Sequence, residues 1–387
     1  MSRILGTNPI GSWDKLGIGT AKRSPEHYRF RIKGEHKMKV GVIGGSGYVG
    51  GELVRLLLPH PEVELTTITS RANAGEYLFT VHPNLRGATQ LKFTPPDISH
   101  ISDNCDLVFA AMPHGKSVDL VPQLLETGVK VIDMSADYRL KNPGDYDKWY
   151  GWKHTHPELL KEAVYGIPEL HREEIRNAKL IGCPGCMSTA TILGLAPLVK
   201  SGVIEKNRIV ADVKIGSSGA GQKPTIASHH PERAGGVRPY KVADHRHVAE
   251  VEQELNMLTD ENVTVSFTPH AVNMIRGILS TIHAFLNKPL TTRDVWRLYR
   301  SVYQNEHFIR FIKFKKGPYQ LPNPKITMGS NYVDLGFEVD PRTRRIIVFS
   351  AIDNLMRGAS GQGVQCMNIM LGCKETTGLE CQGYHPM

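Results

Sequence analysis

Long apolar runs are missing from this chain of 387 residues. Nothing approaches the roughly 18 consecutive apolar residues of a membrane span. The first residues also lack the apolar core and small-residue cleavage site of a secretory signal. Aromatics make up only 7% of the chain and never interleave with basic residues in the way a nucleic-acid surface does, so neither a membrane nor nucleic acid is expected as a partner. Cysteine is sparse: the six, at 105, 183, 186, 366, 373 and 381, form no framework, which suits a reducing cytoplasm better than a disulfide-stapled scaffold. Cys183 and Cys186 make a lone C-x-x-C, and no second such pair or His-x3-5-His completes a zinc site, so no metal is expected. Internal repeats are absent too.

The length allows two domains with ample core. The net charge of +9 is in part an end effect: residues 1–37 hold eight Lys/Arg against Asp14, Glu26 and Glu35, a surplus of five. That stretch has no sustained period and reads as a disordered extension, with Met38 a candidate true start.

The stretch Ile181-Gly182-Cys183-Pro184-Gly185-Cys186-Met187-Ser188-Thr189-Ala190 organises the rest. Pro184-Gly185 predicts a tight turn, and Ala190, Leu193, Ala196 and Val199 then recur at helical spacing. Cys186 thus stands at a helix start, where unpaired N–H groups and the helix dipole favour thiolate over thiol. A small buried hydrophobe or a Cys183–Cys186 redox pair are the plainer accounts; the position after Pro-Gly favours a nucleophile.

From Met38, Lys39–Ile43 reads as a buried strand, followed by Gly44, Gly47 and Gly50 spaced G-x-x-G-x-x-G and a helix through Leu53, Leu56 and Leu57. Strand, glycine turn and helix together are the context in which backbone cradles a pyrophosphate. The next strand, Val63–Thr69, ends at Ser70-Arg71 instead of the acid that grips NAD ribose, which points to a 2′-phosphate and so to NADP. Strands at Leu107–Ala111 and Lys130–Asp133 complete a doubly wound parallel α/β pattern. Ser135, Asp137 and Arg139 follow the last of these; Arg139 is a candidate anion ligand, or simply a partner of Asp137. Longer strands after Cys186 (210–215, 264–268, 277–285, 332–339 and 345–352) predict an α+β module with a largely antiparallel sheet. Helices through Val248–Leu258 and Val295–Val302, the latter capped by Thr291, accompany it, and the glycine-rich tail from Asn354 is expected to return to the first domain.

Two stretches can serve Cys186. Gly216-Ser217-Ser218-Gly219-Ala220-Gly221-Gln222 exposes N–H groups as a phosphate or oxyanion cradle would. Four histidines, 229, 230, 245 and 247, fall within nineteen residues, and one of His245 and His247 is the candidate general base. A nucleophilic cysteine, a base and NADP specify a reaction class: a thiolate displaces phosphate from an acyl phosphate, and the thioester accepts hydride to give an aldehyde.

These residues bring a family into view. From Met38 onward the chain resembles the N-acetyl-γ-glutamyl-phosphate reductase family, which shares its fold with aspartate-semialdehyde dehydrogenase. The likeness rests on Gly44–Gly50, Pro83–Gly87, Ser135–Leu140, Pro184–Cys186, Ser218–Gly221, His245–His247 and Ala351–Leu355 with Gly358. Ser228–Gly235, Tyr240-Lys241, Ile309-Arg310, Lys315–Gly317 and Gly329–Tyr332 resemble the branch that acts on substrates carried by the amino-group carrier protein LysW. The resemblance implies a Rossmann NADP domain (38–185), a catalytic and oligomerisation domain (186–353) and a returning C-terminal segment (354–387). It further implies Cys186 as nucleophile and His245 as base, with Ser46, Gly47, Tyr48, Val49, Ser70, Arg71 and Asn354 on NADP. Arg139, Ser217, Ser218 and His247 are candidates for substrate or phosphate. LysW bearing an aminoadipyl or glutamyl phosphate is the implied partner, docked by Arg233, Arg238, Lys313, Lys315 and Lys316, and the implied assembly is a homo-oligomer, dimer or tetramer. The free N-acetylglutamyl substrate is the rival in the same class, and an inactive carrier-binding module the rival in another. One departure stands out: Cys183 replaces the family's frequent Asn, which opens a Cys183–Cys186 disulfide switch.

Overall fold

The computed structural model describes residues 37–386; the expected extension lies, Lys37 apart, outside the described residues. The chain opens with β1 (Met38–Ile43), whose Val40 and Val42 are fully buried. With β2 (Val63–Thr69), β3 (Leu107–Ala110), β4 (Lys130–Asp133), β5 (Val164–Tyr165) and β6 (Leu180–Gly182) it makes a sheet ordered β2-β1-β3-β4-β6-β5. Every pairing in it is parallel. The strand order reverses at β1, so the loop leaving β1 opens at the switch point where doubly wound folds bind ligands.

A second sheet comprises β7 (Ile209–Ile215), β8 (Val237–Pro239), β9 (Val265–Val272), β10 (Ile278–Phe285), β11 (Ile309–Phe311), β12 (Val333–Asp340) and β13 (Arg345–Ile352), ordered β11-β12-β13-β10-β7-β9-β8. Four of its pairings are antiparallel, while β7–β9 and β11–β12 are parallel. Along β10 every second residue is buried, the period of a strand with one covered face.

The cover is the helix Cys186–Lys200, buried from Met187 through Val199 because it is apolar all round. It lies against β10, β13, the helix His247–Asn256 and the turn 356–360. Pro197 inside this helix has no N–H for the Leu193 carbonyl. The Tyr303 hydroxyl donates to that carbonyl at 2.9 Å, and Tyr299 donates to the Gly194 carbonyl at 2.6 Å. Both tyrosines come from the helix Thr292–Tyr303, which Thr291 and Asp294 close with a reciprocal capping box. Past β13 a π-turn (Met356–Ser360) runs into the helix Gly361–Met370, whose Val364, Met367 and Ile369 share one apolar cluster with Val40, Leu53, Leu57 and Phe109 of the first sheet and its helix. Among the described residues no helix is long and apolar enough to cross a membrane.

Candidate active site

Cys186 is the first residue of its helix, with Gly185 at the N-cap. The turn before it is held from three sides. The Cys183 N–H donates to the Asp133 carbonyl at 2.8 Å. Arg139 donates from Nε to the Cys183 carbonyl at 2.5 Å. The Gly185 N–H donates to Glu250 Oε2 at 2.7 Å, and the same oxygen accepts the Tyr165 hydroxyl at 2.7 Å. Glycine is required at 185, since a Cβ there would stand 2.4 Å from His247 Nε2, and at 358, where it would stand 2.6 Å from Cys186 Cβ.

The expected thiolate is not favoured in the free protein. A helix start contributes about 0.3–1 kcal/mol, less than the 1.36 kcal/mol of one pKa unit. Burial outweighs it and pushes the Cys186 thiol up to about 11, against the opposing pull of Arg139 and Arg246.

His245 and His247 meet edge to face with ring centres 4.6 Å apart, and His245 stacks on Phe267 at 5.6 Å. Burial first, then Arg246 and Lys241, brings His245 down to about 3; burial also drives His247 well below its ordinary value. Both rings are therefore neutral. The backbone N–H of His247 donates to His245 Nδ1 at 3.2 Å, which leaves the His245 proton on Nε2. His247 Nδ1 is buried without a partner, and its Nε2 lies 3.9 Å from Glu250. At rest His245 is set to give a proton, and the free lone pair belongs to His247.

Several other candidates sit differently from their reading. Arg139 pairs not with Asp137 but with Glu250, at 3.2 Å and buried, and so braces the turn. Asp137 accepts the N–H groups of Gly115 and Ser117 at 2.7 and 2.8 Å and so fixes the loop that carries His114. Asn354 bridges the Gly277 N–H (2.7 Å) and Ser218 Oγ (2.9 Å), while Ser218 Oγ also donates to the Ile275 carbonyl. Both side chains are committed to shaping the loops. Ser217, with Tyr48, Gln222, Arg276 and Leu355, lines a cleft of about 370 Å³ between the glycine turn and the 217–228 loop. Cys183 and Cys186 belong to different apolar clusters: Cys183 packs in that of the first sheet beside Cys366, whereas Cys186 packs on that of the second. Both thiols are free, and no disulfide joins them in this structure.

The glycine turn fits a dinucleotide. Gly44 has φ +79° and would place a Cβ 2.5 Å from the Ala111 carbonyl, so the turn is as tight as backbone permits. At Gly47 a Cβ would meet nothing nearer than 4.0 Å; it would fill the space above the N-terminus of the helix Tyr48–Leu57, where Ser46 and Val49 lie half-buried. Ser70 Oγ donates to Ser46 Oγ at 3.1 Å, tying the end of β2 to the turn, and Arg71 beside it is exposed. Among the described residues no group of His, Cys, Asp and Glu could hold a metal ion.

Relatives place this geometry. The LysW-L-2-aminoadipate/LysW-L-glutamate phosphate reductase of Saccharolobus solfataricus is 49% identical over 350 residues, 90% of this chain and 99% of the relative. That of Sulfurisphaera tokodaii is 49% identical over 349 residues, with the same coverage of both chains. The chain belongs to this reductase family. Within it, residues 39–178 match the semialdehyde dehydrogenase NAD binding domain and residues 186–354 the semialdehyde dehydrogenase dimerisation domain. This reductase is thus an oxidoreductase with a nicotinamide cofactor. Its fold is that of aspartate semialdehyde dehydrogenase II from Vibrio cholerae complexed with ASA (TM-score 0.66, 17% identity, 87% of this chain and 99% of that one). The Candida albicans aspartate semialdehyde dehydrogenase with NADP superposes with TM-score 0.64 at 18% identity, over 87% of this chain and 99% of that one.

Sequence reasoning passed over Arg246, His114 and Glu250. Glu250 was within reach of a pattern, because it lies one helical turn beyond His247. His114 and Arg246 sit on loops with no periodic signal, and only the fold brings them together.

Proposed function

We propose that this reductase converts an acyl phosphate borne by the LysW carrier, aminoadipyl or glutamyl, to the semialdehyde, with NADPH as reductant, in cytoplasmic lysine or arginine synthesis. The observation that carries the reading is Cys186 at the start of a buried helix, next to a Gly185 that closes on the neutral His247 ring and within the field of Arg139 and Arg246, in a chain of which 90% aligns with a reductase of that name. Cys186 gives up its proton to the imidazole pair and attacks the acyl carbon; phosphate leaves. NADPH, when bound, supplies the hydride that reduces the thioester. His245 Nε2–H then faces the work of protonating the developing alkoxide, and collapse of the thiohemiacetal returns the thiolate and the aldehyde.

NADP is favoured over NAD by the exposed Arg71 just past the end of β2. Ser46, Gly47, Tyr48 and Val49 would hold the pyrophosphate, and Ser70 sets the height of the turn. For the carrier, Lys315 and Lys316 are exposed, as is Arg238, which also donates to the Ala227 carbonyl at 2.9 Å. Arg233 is instead spent on the carbonyls of Val272 and Ile215, and Lys313 on Glu338. The second sheet is the surface we assign to pairing in a homo-oligomer.

The test is NADP⁺ reduction in the reverse direction with phosphate present, comparing carrier-linked aminoadipate semialdehyde, carrier-linked glutamate semialdehyde and free N-acetylglutamate semialdehyde. Turnover confined to carrier-linked aldehydes and abolished by Cys186→Ala is the expected result. Turnover of the free aldehyde alone moves the protein to N-acetylglutamyl chemistry, and no turnover of any overturns the proposal.

A further inference from the structure

Three loops that are distant in sequence converge around Arg246, whose charge acts on Cys186. His114 follows β3, Arg246 precedes the helix His247–Asn256, and Tyr150 ends the helix Gly144–Tyr150. The guanidinium of Arg246 lies 5.6 Å from the Tyr150 ring centre, and the His114 and Tyr150 rings meet edge to face at 6.2 Å. The contact between His114 and Arg246 is chemically mismatched. The Ala136 N–H donates to His114 Nδ1 at 2.9 Å, so the proton of the neutral ring sits on Nε2. That Nε2–H faces Arg246 Nη2 at 3.0 Å. A guanidinium only donates, so two donors confront each other with no acceptor between them. Arg246 Nε is also buried without a partner. Burial first, then Arg246 and Arg139, keeps His114 neutral, and the same two guanidinium groups act on Cys186, so positive potential is concentrated here.

We propose that Arg246 and His114 form the subsite for the phosphoryl group of the substrate, and for inorganic phosphate in the reverse reaction. A phosphate oxygen placed between them accepts from both donors, and a second oxygen reaches the idle Arg246 Nε. The assignment rests on the acyl-phosphate reading above. In an acyl phosphate the phosphorus is separated from the attacked carbon by a single oxygen, so a cation that acts on the Cys186 sulfur also acts on the phosphoryl group. The substrate's own carboxylate lies at the far end of its chain. As Sγ bonds to the acyl carbon, the bond from that carbon to the bridging oxygen breaks and the electron pair leaves with phosphate, into the two donors. The thiol proton has already passed to the His245–His247 pair. Arg246 and His114 are then catalytic residues, since they touch the leaving group.

The test needs no carrier-linked substrate. Alkylation of Cys186 by iodoacetamide is followed by mass spectrometry on the full chain while inorganic phosphate is titrated in; parallel arms use N-acetylaminoadipate and acetate. Phosphate is expected to slow alkylation of the wild type. The concentration for half-protection should rise at least tenfold in Arg246→Met, less in Arg246→Lys, and severalfold in His114→Leu, while His114→Gln, which keeps a donor near Nε2, stays close to wild type. Unchanged protection in Arg246→Met and Arg246→Lys overturns the proposal, as does protection by the carboxylates without protection by phosphate. If phosphate protects through Arg246 while no carrier-linked aldehyde turns over, the subsite stands and the wider function falls.

Discussion

At the scale of single residues the chemistry is decided by burial more than by sequence position. Cys186 was legible because Pro-Gly before a helical run is a local signal. Its ionisation was not, because desolvation depends on what folds over it. The sign can be worked out: a thiol raised from its ordinary 9.0 to about 11 is protonated at neutral pH, so its thiolate fraction grows tenfold per pH unit. Alkylation of Cys186 in the ligand-free protein should therefore rise log-linearly from pH 7 to pH 10, with no plateau near the ordinary thiol value of 9.0. A plateau near pH 7 would show that the helix dipole prevails. His245 gives a second residue-scale prediction. General acid–base groups contribute about 10²–10⁴-fold, so His245→Ala should lose that much in kcat. His245→Gln, with an amide N–H close to Nε2, should lose at least tenfold less. Equal losses would return the ring to the role of a base. Glu250 is the third case. It and Arg139 are both buried, so Glu250→Ala leaves a charge without a partner and should cost about 3–5 kcal/mol in denaturant unfolding.

Secondary elements were legible wherever the period was strong and the ends were punctuated. The strand at 63–69, the helix starting at Cys186 and the Thr291 cap all came from local pattern, and the structure reproduces each. Short strands such as β5 and β8 were not readable, since two or three residues carry no period. The π-turn at 356–360 is set by tertiary contacts: Asp353 accepts the N–H groups of Leu355 and Met356, and Gly358 closes on Cys186. The nucleophile helix invites a double-mutant test. Tyr303→Phe strands the Leu193 carbonyl and should destabilise by about 1–3 kcal/mol. In a Pro197→Ala background the restored N–H can reach that carbonyl, so the same substitution should cost distinctly less. Additive losses in chemical denaturation would mean that the tyrosine acts by packing alone.

For the whole molecule, the sequence pattern foretold two sheets of different character, but nothing in it foretold how they are fastened. Glu52, on the helix after the glycine turn, and Asp353, at the end of β13, are joined through Arg276, at 3.0 Å and 2.9 Å. Arg276 also lines the cleft with Tyr48, Ser217 and Leu355. The clamp thus sets the width of the cleft between the glycine turn and the 217–228 loop. Burial alone would raise Glu52, but Arg55 and Arg276 hold it below its ordinary 4.5. A depressed carboxylate contributes stability that is fully present above pH 4.5 and lost as pH falls through the lower folded value, so the clamp holds throughout the neutral range. Arg276→Met leaves Glu52 with Arg55 and Asp353 with its backbone donors. The fold should therefore survive while the two halves lose their common register. A loss of about 1.4 kcal/mol in closing the cleft is tenfold in affinity, so the KM for the reduced nicotinamide cofactor should rise about tenfold with kcat changing far less, and Arg276→Lys should recover part of it. If steady-state kinetics instead show kcat collapsing at constant KM, Arg276 serves the chemistry directly and the clamp is incidental.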